Sequence, residues 1–217
     1  MDARTPNRPQ TARTRRRRLS PFWVKQLHSW HWMSSAVCLV GMLLFAATGI
    51  TLNHAGEIEA EPVVTTQESV LPPMLLRRLA AANGAAVLPA PFRGWAQSEL
   101  SVTLAGRAPE WSEEELYVPL PQPGGDGWLA VDLADGAVFY ERTDRGTVAW
   151  LNDLHKGRDT GAAWRWFLDI FSAACLIFCI TGFFLLQLHA KNRPSTWPIV
   201  GLGVIAPTVL LLVFVHS

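Results

Sequence analysis

Three stretches of the chain are apolar and free of charge: "MSSAVCLVGMLLFAATGITL" (33–52), "IFSAACLIFCITGFFLLQL" (170–188) and "WPIVGLGVIAPTVLLLVFV" (197–215). Each is close to the roughly 20 residues a helix needs to cross about 30 Å of hydrocarbon, so three transmembrane helices are predicted. Between the first and second the pattern shortens. Runs at 62–66, 99–106, 115–121, 127–133 and 136–143 read as strands, with alternation visible in Leu100, Val102 and Leu104 and again in Trp128 and Ala130. "PQPGGDG" and "LADG" are turn signals between them. "LPPMLLRRLAAANG" predicts a helix opened by prolines and stopped at Asn83-Gly84. The expectation is an α-helical membrane protein, with three transmembrane helices and a small α+β domain between the first and second. That domain would be one helix on an antiparallel sheet, about 90 residues with a modest core.

The pattern divides the chain into a basic, disordered tail (1–20), a lead-in and first span (21–55), the α+β domain (56–150), a histidine element with the second span (151–190), and a link with the third span (191–217). The lead-in carries Phe22, Trp23, Leu27, Trp30 and Trp32 beside Lys25, the mixture expected at a membrane interface.

Charge orients this plan. The net charge of +1 conceals eight bases against one acid in residues 1–25, and sixteen acids against eight bases in residues 53–163. Bases flanking spans stay in the cytoplasm. The N-terminus is therefore expected inside a bacterial inner membrane and the acidic segment in the periplasm. The link, with Lys191 and Arg193, returns inside, and the C-terminus lies outside. A cleaved signal is the rival reading of "RRRRLSPF", but the apolar run is long for one and no A-x-A site follows it. The three cysteines, Cys38, Cys175 and Cys179, all fall in spans, so no disulfide framework is expected in the domain. They read as small packing residues. Residues 56–150 hold no histidine, cysteine or Gly-x-Ser-x-Gly, and their acids read as a solvated surface. Nothing points to nucleic acid; the partner expected from composition is membrane lipid.

Six histidines remain: His28, His31, His54, His155, His189 and His216. All lie near span ends. The topology would gather His28, His31 and His189 at the cytoplasmic face, and His54 and His155 at the outer face. Two helices offering an imidazole each at one depth can hold a haem iron, since neutral imidazole suits iron. The candidate pairs are His54 with His155, and His31 or His28 with His189. His31, nearer the span, ranks before His28. Phe45, Phe178, Phe183 and Phe184 would line the space between. The plainer reading is an interfacial belt, where an apolar body meets a polar tip. His31 and His54 are also 23 residues apart, roughly 35 Å along a helix, a long gap for electrons. The two long spans share a further pattern, a Ser-Ala-Cys-Leu-like cluster followed by Thr-Gly and then His-Ala, which reads as a weak inverted repeat.

"LHSWHWMSSAVCLVGMLLFAATGITLNH" and "WLNDLHKGRDTGAAWRWFLDIFSAACLIFCITGFFLLQLH" resemble the PepSY-associated transmembrane helix family. The matching elements are Thr48-Gly49, Thr181-Gly182 and Leu154-His155-Lys156-Gly157. "WLAVDLADGAVF", with Asp132 and Gly136, is similar to the PepSY strand pair. Some members are haem proteins of the inner membrane that reduce ferric siderophores. The resemblance implies haem b as cofactor, His28 or His31, His54, His155 and His189 as axial ligands, and an exported acceptor. This chain is smaller than such members and has no flavin or nicotinamide domain, so a cytoplasmic or membrane donor such as a flavin reductase would supply electrons. The alternative is a non-catalytic membrane-anchored PepSY module that binds a peptide or partner protein.

Overall fold

A computed structural model describes residues 20–58 and 61–215. Most of the basic tail, Arg15–Arg18 included, and His216 lie outside the described residues. In chain order the elements are α1 (Pro21–Asn53), β1 (Val63–Val70), α2 (Pro73–Ala80), α3 (Ala90–Glu99), β2 (Glu110–Trp111), β3 (Glu115–Pro119), β4 (Gly125–Asp132), β5 (Ala137–Asp144), α4 (Gly146–Lys156), α5 (Gly161–His189) and α6 (Thr196–Leu210). A 3₁₀ turn at Ala190–Asn192 links α5 to α6. A π-helical turn over Leu211–Val215 extends α6. Pro207, inside α6, cannot donate to the helix ladder ahead of it.

α1, α5 and the α6 segment to Val215 are long and apolar enough to cross a membrane. Their surfaces fit lipid. Val37, Leu43 and Ile50 of α1, Ile170 and Leu176 of α5, and Leu202 and Phe214 are all exposed. A helix apolar all round belongs in a core or in lipid. The expected lead-in is no separate element, because α1 runs unbroken for 33 residues, about 50 Å at 1.5 Å per residue.

The described residues form two compact units, one from 20–38 with 173–215 and one within 39–172. The second contains a five-stranded antiparallel sheet of order β1-β5-β4-β3-β2. Leu116, Val118, Leu129, Val131 and Val138 are fully buried on it, and meet Leu79 of α2 and Phe92 and Ala96 of α3. The β4–β5 turn is fixed by Asp132, whose Oδ1 accepts Ala134 N–H at 2.7 Å, and by Gly136 at φ +80°. Tyr117 stacks on Trp128, with ring centres 6.1 Å apart. Burial, then the charges of Asp126, Glu110 and Glu115, push its phenol pKa up.

Two expectations change. The sheet carries two helices, not one, because α3 opens on Pro89 and Pro91 and closes at Leu100. The strand expected over 99–106 does not form: the segment is irregular after α3, with Ser101 at φ +58°. Leu100, Val102 and Leu104 do alternate into the core, but on an irregular loop without a ladder partner.

Candidate functional site

The first unit holds three of the candidate histidines. His28 and His31 lie three residues apart on α1. The ring facing His189 of α5 is that of His28: the centroids are 6.2 Å apart and the planes nearly perpendicular, at 82°. His31, ranked first by depth, instead meets the Thr181 region. Three helix positions rotate a side chain by about 300°, some 60° short of a full turn, so both histidines face α5, and depth separates them: His28 lies level with His189 and His31 level with Phe178 and Thr181. His28 Nδ1 donates to Val24 O and His189 Nδ1 to Leu185 O, each at 2.8 Å and each four residues back. A carbonyl can only accept, so both rings are protonated at Nδ1 and leave Nε2 free. Both are exposed.

His31 is half-buried. Its ring stacks on Phe178 with centroids 4.7 Å apart and planes 13° apart. Its Nδ1 lies 3.2 Å from Thr181 Oγ1 and 3.3 Å from Phe178 O. A Cβ on Gly182 would come within 3.0 Å of its Cε1. Thr181 is buried. Cys38 is buried, Cys175 partly so and Cys179 exposed, all as free thiols.

In the second unit, His155 of α4 rests against α1. Its Nδ1 is 2.6 Å from Thr48 Oγ1, its ring centre 4.8 Å from that of Phe45, and its Cε1 would stand 3.8 Å from a Cβ on Gly49. α4 is pinned on both sides. Asn152 Oδ1 accepts Thr51 Oγ1–H at 2.9 Å, and buried Asp153 accepts Gly124 N–H at 2.9 Å. Trp164 Nε1 donates to Leu154 O at 2.9 Å. The helix ends at Gly157 in the left-handed region, φ +68°. His54 is exposed and its Nδ1 lies 3.1 Å from Glu57 Oε2; that carboxylate is the partner the structure gives it.

Sequence reasoning located all five histidines but assigned no role to Thr48, Thr181, Thr51, Asn152 or Asp153. The repeated Phe-x-x-Thr-Gly, at 45–49 and 178–182, was the available signal. Among the described residues no group of three or more His, Cys, Asp or Glu side chains could hold a metal ion; the arrangement offers imidazoles singly or in pairs.

Three apolar spans, with an α+β domain inserted between the first two and histidines at the span ends, define a class of membrane-spanning proteins. The family described as "Putative PepSY_TM-like" matches residues 22–216, and the chain belongs to it. No curated protein and no solved structure matches.

Proposed function

We propose that the protein is an inner-membrane electron-transfer protein that binds b-type haem through histidines at both membrane faces and passes electrons to a periplasmic acceptor such as a ferric siderophore. The observation that carries this reading is the His28–His189 pair. His28 and His189 would hold the haem iron, for which neutral imidazole is a suitable ligand. Their ring centres lie 6.2 Å apart. Both rings have Nδ1 tied to a helix carbonyl, the outer hydrogen bond that ligating histidines almost always make. His31 and His155 are the half-buried candidates, His155 serving the outer side with His54. Haem, when bound, supplies a one-electron centre. The chain's own residues orient the imidazoles, His28 and His189 each through a carbonyl four residues back on its own helix. The arginine-rich N-terminus sets the orientation, with the domain outside.

The test is an absorption spectrum of protein purified from haem-replete cells. A Soret band is expected, and His28→Ala and His189→Ala should each diminish it to the same extent. A wild type with no Soret band overturns the reading.

A second reading, the peptide-binding module, has one observation in its favour. β1 is an edge strand whose Val63, Val64 and Val70 are exposed, the kind of edge an extended peptide can join. It predicts that every histidine tolerates alanine.

A further inference from the structure

We infer that Thr48 and Thr181 are positioning residues that hold His155 and His31 as the Nδ1–H tautomer with Nε2 free, and that Phe-x-x-Thr-Gly is a repeated seat for one imidazole. The pentapeptide occurs twice in the chain, as Phe45-Ala46-Ala47-Thr48-Gly49 and Phe178-Cys179-Ile180-Thr181-Gly182. Each copy receives a histidine from elsewhere in the chain, and each of its three fixed positions has one job.

The phenylalanine supplies a ring face, at 4.8 Å for His155 and 4.7 Å for His31. The glycine, next to the threonine, lies beside Cε1: at Gly182 a Cβ would crowd His31 at 3.0 Å, while at Gly49 it would meet His155 at an ordinary 3.8 Å. The threonine sets the proton. A hydroxyl has one hydrogen to give. In the helix it goes to the carbonyl four residues back: Thr48 to Leu44 O at 2.9 Å, Thr181 to Ile177 O at 2.7 Å. Oγ1 is left as an acceptor, so the imidazole nitrogen beside it must be the donor. For His31 the Phe178 carbonyl at 3.3 Å imposes the same proton position. The free nitrogen is then Nε2 in both rings.

Isolated histidine side chains favour the opposite tautomer, so the seat reverses a solution preference. His28 and His189 use the carbonyl four residues back on their own helix, which any helical histidine can find. His31 and His155 depend on a specific partner. The bearing of the seats on haem rests on the function proposed above; the tautomers themselves do not.

The test uses the full-length, metal-free protein in lipid bilayers with ¹⁵N-labelled histidine, reading by solid-state NMR which ring nitrogen carries the proton. Wild type should show Nδ1–H at His31 and His155. Thr48→Val, nearly isosteric, should convert most of His155 to Nε2–H and leave His31 unchanged, while Thr48→Ser retains the wild-type form. Thr181→Val should shift His31 less, because the Phe178 carbonyl remains. Unchanged amide resonances of the α+β domain confirm that each variant is folded. Thr48→Val with His155 still in the Nδ1–H form overturns the inference, as does Thr48→Ser behaving like Thr48→Val. Haemin titration separates the two proposals. Loss of an orienting partner should weaken binding by about 10–100-fold. Wild type that binds no haemin while its tautomers respond to Thr48 overturns the electron-transfer reading alone. Equal haemin affinity with unchanged tautomers overturns the seat alone.

Discussion

The seats of His31 and His155 are built from the same five-residue pattern but filled in different ways. His31 projects from α1 itself, in the middle of an unbroken 33-residue helix. Its place follows from helix phase. His155 projects from α4, a helix of 11 residues between the sheet and the second span. Its place follows from tertiary contacts: Asp153 on the Gly124 turn and Asn152 on Thr51. Gly124 can do this only as glycine, since it holds φ +72° and a Cβ would stand 2.6 Å from the Trp150 backbone. One imidazole is therefore fixed by the packing of two long helices, α1 on α5, and the other by the folded domain. Whatever disturbs the domain should reach His155 and spare His31.

The strongest way to break that comparison is to hollow the domain. Leu129 is fully buried on β4, the strand that begins at Gly125, next to the Asp153-bound turn. Leu129→Ala should cost about 2–5 kcal/mol, seen as a lower midpoint for the domain in urea unfolding followed by tryptophan fluorescence. Near that midpoint the Nδ1–H signal of His155 should be lost while that of His31 persists. Simultaneous loss of both would mean that one cooperative unit holds the two seats.

A milder cut acts on the tether itself. Asp153→Ala leaves Gly124 N–H buried without its acceptor, a loss of about 1–3 kcal/mol. The sheet should stay folded, so amide exchange in β3, β4 and β5 should change little, whereas exchange in α4 should speed up. Exchange that accelerates equally across sheet and α4 would show that the tether is part of the core rather than a link to it.

How much of this was legible beforehand depended on whether the deciding interaction was local. The spans were, because a long uncharged run has few other uses. The strands β3, β4 and β5 were, within two residues, because turn signals bracket them. The run Leu100-Val102-Leu104 misled because alternation reports one-sided burial, and a loop pressed on a core buries alternate residues as a strand does. α3 was hidden by Gly94 and two prolines, although both prolines sit at its first turn, where they are tolerated. Among the histidines, position near a span end was legible and the level at which each meets α5 was not. Nearness to the span favoured His31 as the partner of His189, but His189 lies level with His28, and His31 lies level with Thr181. Thr48 and Thr181 were noticed only as parts of Thr-Gly pairs. Their function as acceptors requires an imidazole more than a hundred residues away in sequence, which no local pattern reveals.

The smallest expected effect is also the sharpest discriminator between the seats, because it compares one substitution at equivalent positions. Glycine inside a helix costs roughly 0.5–1 kcal/mol relative to alanine, so both Gly49→Ala and Gly182→Ala carry a small intrinsic gain. At Gly49 the new Cβ would lie 3.8 Å from His155 Cε1, an ordinary contact. At Gly182 it would lie 3.0 Å from His31 Cε1 and 3.5 Å from its Nδ1, so the ring must retreat by a few tenths of an ångström. His31 has little slack for that, since its two hydrogen bonds are already 3.2 and 3.3 Å long. Gly49→Ala should therefore leave the His155 ring resonances unchanged, with stability equal or slightly higher. Gly182→Ala should shift and broaden those of His31 at nearly unchanged global stability, because the intrinsic gain offsets the lost contacts. Equal perturbation at both seats would mean that the glycines serve helix packing rather than clearance for the imidazole.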